Sequence, residues 1–360
     1  MRRAVSRWIA IAGVNAVALL IAVLVFGRLF DFGRTLSPFG EPFHKYTILK
    51  RAPINDASLL KAHNPHPTRG WTPKPNLTRM DAGFATNSRG FRSVREYAHR
   101  PEAFTVMIVG DSFTFGTDAE SEEDVWPAAL ERLDGRLHVL NFGVGGYGID
   151  QMYLTIRESI AEYKPQLVLL AYIDEDLLRS MFRIYFYKKP RFEWRGDELV
   201  LTNTPIGPPE EVYAELRRQY GVLFPHFQLW KEDRAFRAWL ASDRSTPETW
   251  RLNERIVREA AACARAHDAE FLLVHLTQGL GLNPSFYGPG YKDFLSDLLS
   301  KGPLPHLDTR DAFLNAGQQW TLGHYKGPEA RFVAQLVWQR IQEMDSWKRF
   351  AQTAGPAGSS

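Results

Sequence analysis

The chain has 360 residues, 44% apolar and 24% charged, with a formal net charge of +3. That is a globular composition, and neither the small charge nor any long basic run supports a nucleic-acid partner. Cys263 is the only cysteine, so an intrachain disulfide and a multi-cysteine zinc site are excluded.

Residues 8–27, "WIAIAGVNAVALLIAVLVFG", carry no charge. About twenty helical residues span about 30 Å, the thickness of a bilayer core. Arg2, Arg3 and Arg7 precede this segment and Arg28 and Arg34 follow it, a bias that favours a cytoplasmic N-terminus. A cleaved signal peptide is the alternative, but its apolar region is usually shorter and ends in an A-x-A-like site, which this stretch lacks. Asn15, inside the span, is either tolerated there or bonded to a partner helix. The expectation is a single-pass protein touching the lipid bilayer through residues 8–27. Its main domain then lies on the extracytoplasmic side, in the periplasm or at the cell surface.

Residues 35–103 show little periodicity and many Pro, Asn and His residues, as in "HNPHPTRGWTPKPNL". They read as an irregular extension laid over the main domain. His63 and His66 have no third ligand near them in sequence and read as solvated loop histidines. "NSRGFRS" (87–93) then leads towards the first strand of a βα alternation. Strands are expected at Phe104–Val109, Leu137–Asn141, Gln166–Tyr172, Glu270–His275 and up to Asp308. Helices are expected at Trp126–Leu133, Asp150–Tyr163, Thr246–His267, Tyr291–Ser300 and Pro328–Met344. Such alternation predicts an α/β fold, a doubly wound parallel sheet flanked by helices. In the Ala-rich helix "REAAACARAHDAE" Cys263 reads as a small buried residue.

The pattern breaks at about 181–245. "RFEWRGDELVLTN" reads as a hairpin around Gly196-Asp197, and the aromatic, basic stretch after it as helical. An insertion at a strand's C-terminal edge is either a substrate wall or lid, or plain packing decoration. The domain division is therefore 1–34 (cytoplasmic stub and anchor), 35–103 (extension), 104–345 (α/β domain) and 346–360, a small, polar tail expected to be disordered.

Within "VMIVGDSFTFGTD" the apolar run ends at Gly110-Asp111-Ser112. That is the C-terminal edge of a buried strand, where α/β sheets bind ligands. "LNFGVGGYG" carries Asn141 and Gly146, and "LGHYKGPEARFVAQLV" carries His324 before a helix. In this order and strand context, over roughly 104–345, these segments resemble the SGNH (GDSL) hydrolases. "NSRGFR" is similar to a membrane-anchored bacterial branch of that family. The resemblance implies a flavodoxin-like three-layer fold with Ser112 as nucleophile and His324 as base. It also implies an oxyanion hole with N–H donors from Ser112 and Gly146. No cofactor and no metal is implied.

Elementary chemistry points the same way. A serine hydroxyl needs a base to take its proton, and imidazole titrates near neutrality. The oxyanion formed on attack needs preorganised N–H donors, and Gly146 lies where backbone approaches a substrate closely. Asp111 and Asn141 read as braces of the serine loop. Two departures from the family stand out. Its third segment supplies an Asn donor, where "AYIDEDLLR" places Asp174, Glu175 and Asp176; a carboxylate there repels the developing charge. The family's Asp three residues before the His is Thr321 here, followed by Leu322. A dyad helped by a backbone carbonyl, by the Thr hydroxyl, or by a carboxylate at 174–176 remains open.

Three readings follow. The first is an anchored serine esterase acting on O-acyl, especially acetyl, esters of an envelope glycan or a small molecule, or transferring the acyl group to a sugar. The second is a degenerate domain that binds glycan or protein. The third is a scaffold subunit of an envelope assembly. The topology is testable at once. A reporter active only outside the cytoplasm, fused after residue 40, is expected to be active; a fusion active only in the cytoplasm refutes the orientation.

Overall fold

The computed structural model describes residues 8, 11–22, 41–50, 61–79, 84–221, 225–278, 293–316 and 323–353. Five strands, β1 (Phe104–Gly110), β2 (Leu137–Gly143), β3 (Leu167–Tyr172), β4 (Glu270–His275) and β5 (His306–Asp308), form one parallel sheet in the order β2-β1-β3-β4-β5. This is the flavodoxin-like doubly wound order, whose ligand crevice opens where the winding reverses, between β1 and β3. Every residue of β1, β2 and β3 is buried, as a sheet covered on both faces requires.

The helices include, in chain order, α1 (Ser112–Phe115), α2 (Trp126–Glu131), α3 (Ile149–Tyr163), α4 (Asp174–Arg179), α5 (Ser245–Ala266), α6 (Gly327–Gln342) and α7 (Asp345–Thr353). Successive strand side chains point to opposite faces, and β1 shows the division. Met107 and Val109 join a core with Met152 of α3 and Ile256 of α5. Val106 and Ile108 join a second core with Trp126 of α2 and Val333 and Val337 of α6. The sheet thus carries one layer of helices on each face.

The insertion forms the expected hairpin, Arg191–Arg195 against Glu198–Thr202, followed by helices Pro209–Tyr220 and Pro225–Leu240. Its base is fastened by an ion pair between fully buried Lys189 and Asp150.

Two expectations need correction. The extension is neither irregular nor a mere surface layer. It contains a helix, Glu41–Lys50, a hairpin, His63–His66 with Gly70–Pro73, and a short ladder, Thr78–Arg79 with Phe84–Ala85. Trp71 and Arg92 are among the largest fully buried side chains. Phe91 packs its ring 4.2 Å from that of Phe142 on β2. Single large aromatic anchors supply this burial, so no periodicity announces it. The tail from 346 is helical to Thr353, because Trp347 is buried against Phe104 and Trp338; residues 354–360 lie outside the described set. Of the expected anchor, Trp8 and 11–22 are described, as helix, with exposed apolar side chains. Among the described residues no helix is long and apolar enough to cross a membrane.

At the far edge of the sheet His275, at the end of β4, is 3% exposed. Its Nε2 lies 3.1 Å from Asp174 Oδ1 and its Nδ1 3.1 Å from Asp308 Oδ1. Arg310 in turn pairs with Asp308 at 2.6 Å, and the Tyr172 ring lies 5.0 Å away. Burial alone lowers the imidazole's pKa, but the two carboxylates outweigh it and raise it above 6.5. The charged form is therefore favoured by folding, and its stabilisation is complete below the unfolded pKa and lost as pH rises through the folded one. His275→Gln is expected to destabilise the protein by about 2 kcal/mol below about pH 6.5. Denaturant titration should show that gap narrowing as pH is raised, and a gap that widens refutes the assignment.

Candidate active site

Gly110 ends β1, and Asp111 caps α1, its Oδ1 accepting from Phe113 N at 2.9 Å. Ser112 is the first residue of that single turn, so its hydroxyl stands over the C-terminal edge. Ser112 Oγ lies 2.7 Å from His324 Nε2. His324 sits in the loop before α6, and its ring packs 4.9 Å from Phe113. The other ring nitrogen, Nδ1, lies 3.0 Å from Asp118 Oδ2. A carboxylate on Nδ1 places the neutral ring's proton there and leaves Nε2 free to accept from the serine.

Asp118 was absent from the expected set. The carboxylate on His324 comes neither from before it nor from 174–176 but from the segment that carries Ser112, six residues on. The turn that brings it back is visible in sequence: Gly116 takes a left-handed conformation (φ 78°) and closes α1 with its N–H on Ser112 O. Thr321 and Leu322 lie outside the described residues.

The three expected carboxylates are engaged elsewhere. Asp174 pairs with His275. Glu175 Oε2 accepts from Arg179 Nη2 at 2.6 Å. Asp176 accepts from Arg179 Nη1 at 2.6 Å and from Ile173 N at 2.9 Å. None of them orients His324, which corrects that expectation. Glu175 does line the cavity in front of Ser112, but with its charge matched by a guanidinium. Burial, reinforced by the neighbouring Asp111 charge, pushes the Asp176 carboxyl well above its usual range. Burial disfavours the Arg179 charge, but Tyr185 and the carboxylates outweigh that and raise its pKa.

The N–H groups of Ser112 and Gly146 find no acceptor among the described residues, so both are available to an oxyanion. Gly146 has φ +79°, and a Cβ on it would lie 2.4 Å from the Phe186 ring; only glycine fits. A Cβ on Gly145 would lie 3.9 Å from Ser112 Cβ, which puts this turn beside the serine. Trp71 of the extension fixes the turn by donating from Nε1 to Gly145 O at 3.0 Å. Asn141 braces both loops: its Nδ2 donates to Thr114 O and its Oδ1 accepts from Gly143 N, each at 2.9 Å. Asp111 Oδ2 accepts from Ser112 Oγ at 3.2 Å and from Arg179 Nη1 at 3.1 Å.

Before the serine lies a cavity of about 420 Å³. Its walls are mostly apolar: Phe113 and Phe115 from α1, Pro73 and Phe84 from the extension, Tyr185 and Phe186 from the insertion. His63 also lines it. His66 sits in the hairpin with Nδ1 accepting from Arg69 N at 3.1 Å. Burial, then the Arg69 charge, lowers its pKa to about 4, so neither histidine is a freely solvated loop residue. Among the described residues no three His, Cys, Asp or Glu side chains are placed to hold a metal ion. Cys263 is half-buried and burial pushes its thiol pKa up, away from thiolate chemistry.

No protein-family model and no curated protein matches the chain. Among solved structures it is similar to a lipolytic protein of the G-D-S-L family from Veillonella parvula, at 11% identity over 68% of this chain and 99% of that one, with a TM-score of 0.38. The esterase EstA from Pseudoalteromonas sp. matches at 10% identity over 67% and 97%, TM-score 0.38. An acetylxylan esterase from Geobacillus stearothermophilus matches at 12% identity over 70% and 98%, TM-score 0.38.

The Asp118 side chain is 55% exposed and that of His324 28%, so water screens their interaction. Loss of a triad aspartate's charge costs about 10⁴ in kcat in a buried array; Asp118→Asn is expected to cost on the order of 10². It should leave the melting temperature unchanged. Turnover of simple esters by the variant at the parental rate would remove Asp118 from the array.

Proposed function

We propose that the protein is a serine ester hydrolase of the SGNH (GDSL) type. The observation that carries this reading is the continuous Ser112–His324–Asp118 array beside two N–H groups that have no acceptor among the described residues. Ser112 Oγ attacks the ester carbonyl carbon as its proton passes to His324 Nε2. The carbonyl π electrons move onto oxygen, which receives hydrogen bonds from Ser112 N and Gly146 N. Collapse expels the alcohol oxygen, which takes the proton from His324, and an acyl-serine remains. Water then attacks this ester with His324 again taking the proton. The second collapse releases the carboxylic acid and returns the proton to Ser112. Asp118 holds the ring in the required tautomer and stabilises its charged form.

The same geometry argues against the degenerate binding module, since the carboxylate missing before His324 is replaced from the nucleophile's loop. Water rather than a sugar hydroxyl is the favoured acceptor, because His324 and Asp118 are both open to solvent. A cavity of about 420 Å³ is large enough for an acyl chain longer than acetyl. Its aromatic walls suit an acylated glycan or a small ester. The uncharged segment 8–27 supports anchorage in a bilayer with the α/β domain on the extracytoplasmic side.

The full chain is expected to hydrolyse p-nitrophenyl acetate. Its kcat/KM should rise towards the butyrate, since each buried methylene is worth about 0.8 kcal/mol, about four-fold. Ser112→Ala should abolish turnover of both. Equal turnover by that variant, or none by a folded wild-type chain, refutes the reading.

A further inference from the structure

Arg179 ends α4 and is 7% exposed. Its Nη1 donates to Asp111 Oδ2 at 3.1 Å, to Tyr147 O at 3.3 Å and to Asp176 Oδ1 at 2.6 Å. Asp111 immediately precedes Ser112, and Tyr147 immediately follows Gly146. One nitrogen thus bridges the two loops whose N–H groups face the oxyanion. Its Nη2 is held by Glu175 at 2.6 Å, and the Tyr185 ring lies 5.3 Å from the guanidinium carbon.

We propose that Arg179 is a positioning residue that fixes the distance between the Ser112 and Gly146 N–H donors, with Glu175 and Asp176 aiming its guanidinium. This rests on the esterase reading of the site.

Oxyanion donors work because they are set in place before the reaction, within about 0.5 Å. A turn with glycines at 143, 145, 146 and 148 has little stiffness of its own. Trp71 pins one side of Gly146 through Gly145 O, and Arg179 pins the other through Tyr147 O. The tie to Asp111 has a second consequence. The Ser112 hydroxyl has two acceptors in reach, His324 Nε2 at 2.7 Å and Asp111 Oδ2 at 3.2 Å. A guanidinium on the same Oδ2 weakens that oxygen as an acceptor and leaves the proton to the imidazole. Glu175, which stands where the resemblance calls for an Asn donor, is then the guide of a cation and not a stray charge in the oxyanion hole. A lysine preserves charge but not the planar fork that reaches several acceptors at once.

The test measures kcat, KM and the rate of phosphonylation by a fluorophosphonate on the full chain. Arg179→Met is expected to lower kcat and the phosphonylation rate together, by about 10²-fold, with KM unchanged. Arg179→Lys should stay about ten-fold below wild type, and Glu175→Gln should fall several-fold. Val337→Ala, in the core of the opposite layer, should lower the melting temperature without changing kcat. Wild-type kcat in Arg179→Met, a loss of stability alone, or a rise in activity in Glu175→Gln overturns the inference. Should Arg179→Met fail to fold by circular dichroism, the other two site variants decide on the same readouts. A folded wild-type chain that neither labels nor turns over refutes the esterase reading and the inference with it. An active wild type with unaltered Arg179 variants refutes the inference alone.

Discussion

The 2.7 Å hydrogen bond between Ser112 Oγ and His324 Nε2 joins residues 212 positions apart in the chain. Everything else in the molecule bears on whether those two atoms meet. Ser112 is delivered by β1, the strand at which the winding of the sheet reverses. His324 is delivered by the loop entering α6, whose apolar face is fixed on the same side of the sheet as α2. Parallel strands put all their C-terminal ends on one edge, so the contact follows from strand order together with the seating of α6.

Around that bond the site is held by groups outside the βα repeats. The extension contributes Trp71, which fixes Gly145, and Arg92, which donates to Gly116 O at the end of α1. Arg92 also lies 5.1 Å from the Phe84 ring and 5.3 Å from that of Phe115, both cavity residues. The insertion contributes Tyr185 and Phe186, the second of which is why residue 146 must be glycine. The helix Glu41–Lys50 reaches this wall too: His44 packs 4.7 Å from Tyr185 and 5.5 Å from Phe186. The helix Glu41–Lys50 therefore abuts the wall of the cavity formed by Tyr185 and Phe186.

The strands were legible because each is a short apolar run bounded by turn residues, and their ends agree with the observed ones to within about two residues. Ser112, Gly146 and His324 were legible because each lies at a strand end or before a helix in a recognisable segment. Trp71 and Arg92 were not, since a single buried anchor in a Pro-rich stretch leaves no period to read. Asp118 was not legible, because no family segment marks it: the fold supplies the orienting carboxylate from beside the serine and not from before His324 or from 174–176. Arg179, at the end of "DEDLLR", carries no motif that marks it as part of the site. Its spacing from Glu175 and Asp176, four and three residues, was the available sign of a shared helix face. Burial, which a local sequence pattern does not report, turned that pair of contacts into a clamp.

The proposed chemistry requires that His324 activate Ser112. The most direct measurement is the site of phosphonate attachment, read by peptide mass spectrometry after the folded full chain is treated with a fluorophosphonate. A single adduct on Ser112, lost when His324 is replaced by Ala, is the result the account predicts. An adduct on another residue, or on Ser112 at an undiminished rate without His324, would contradict it.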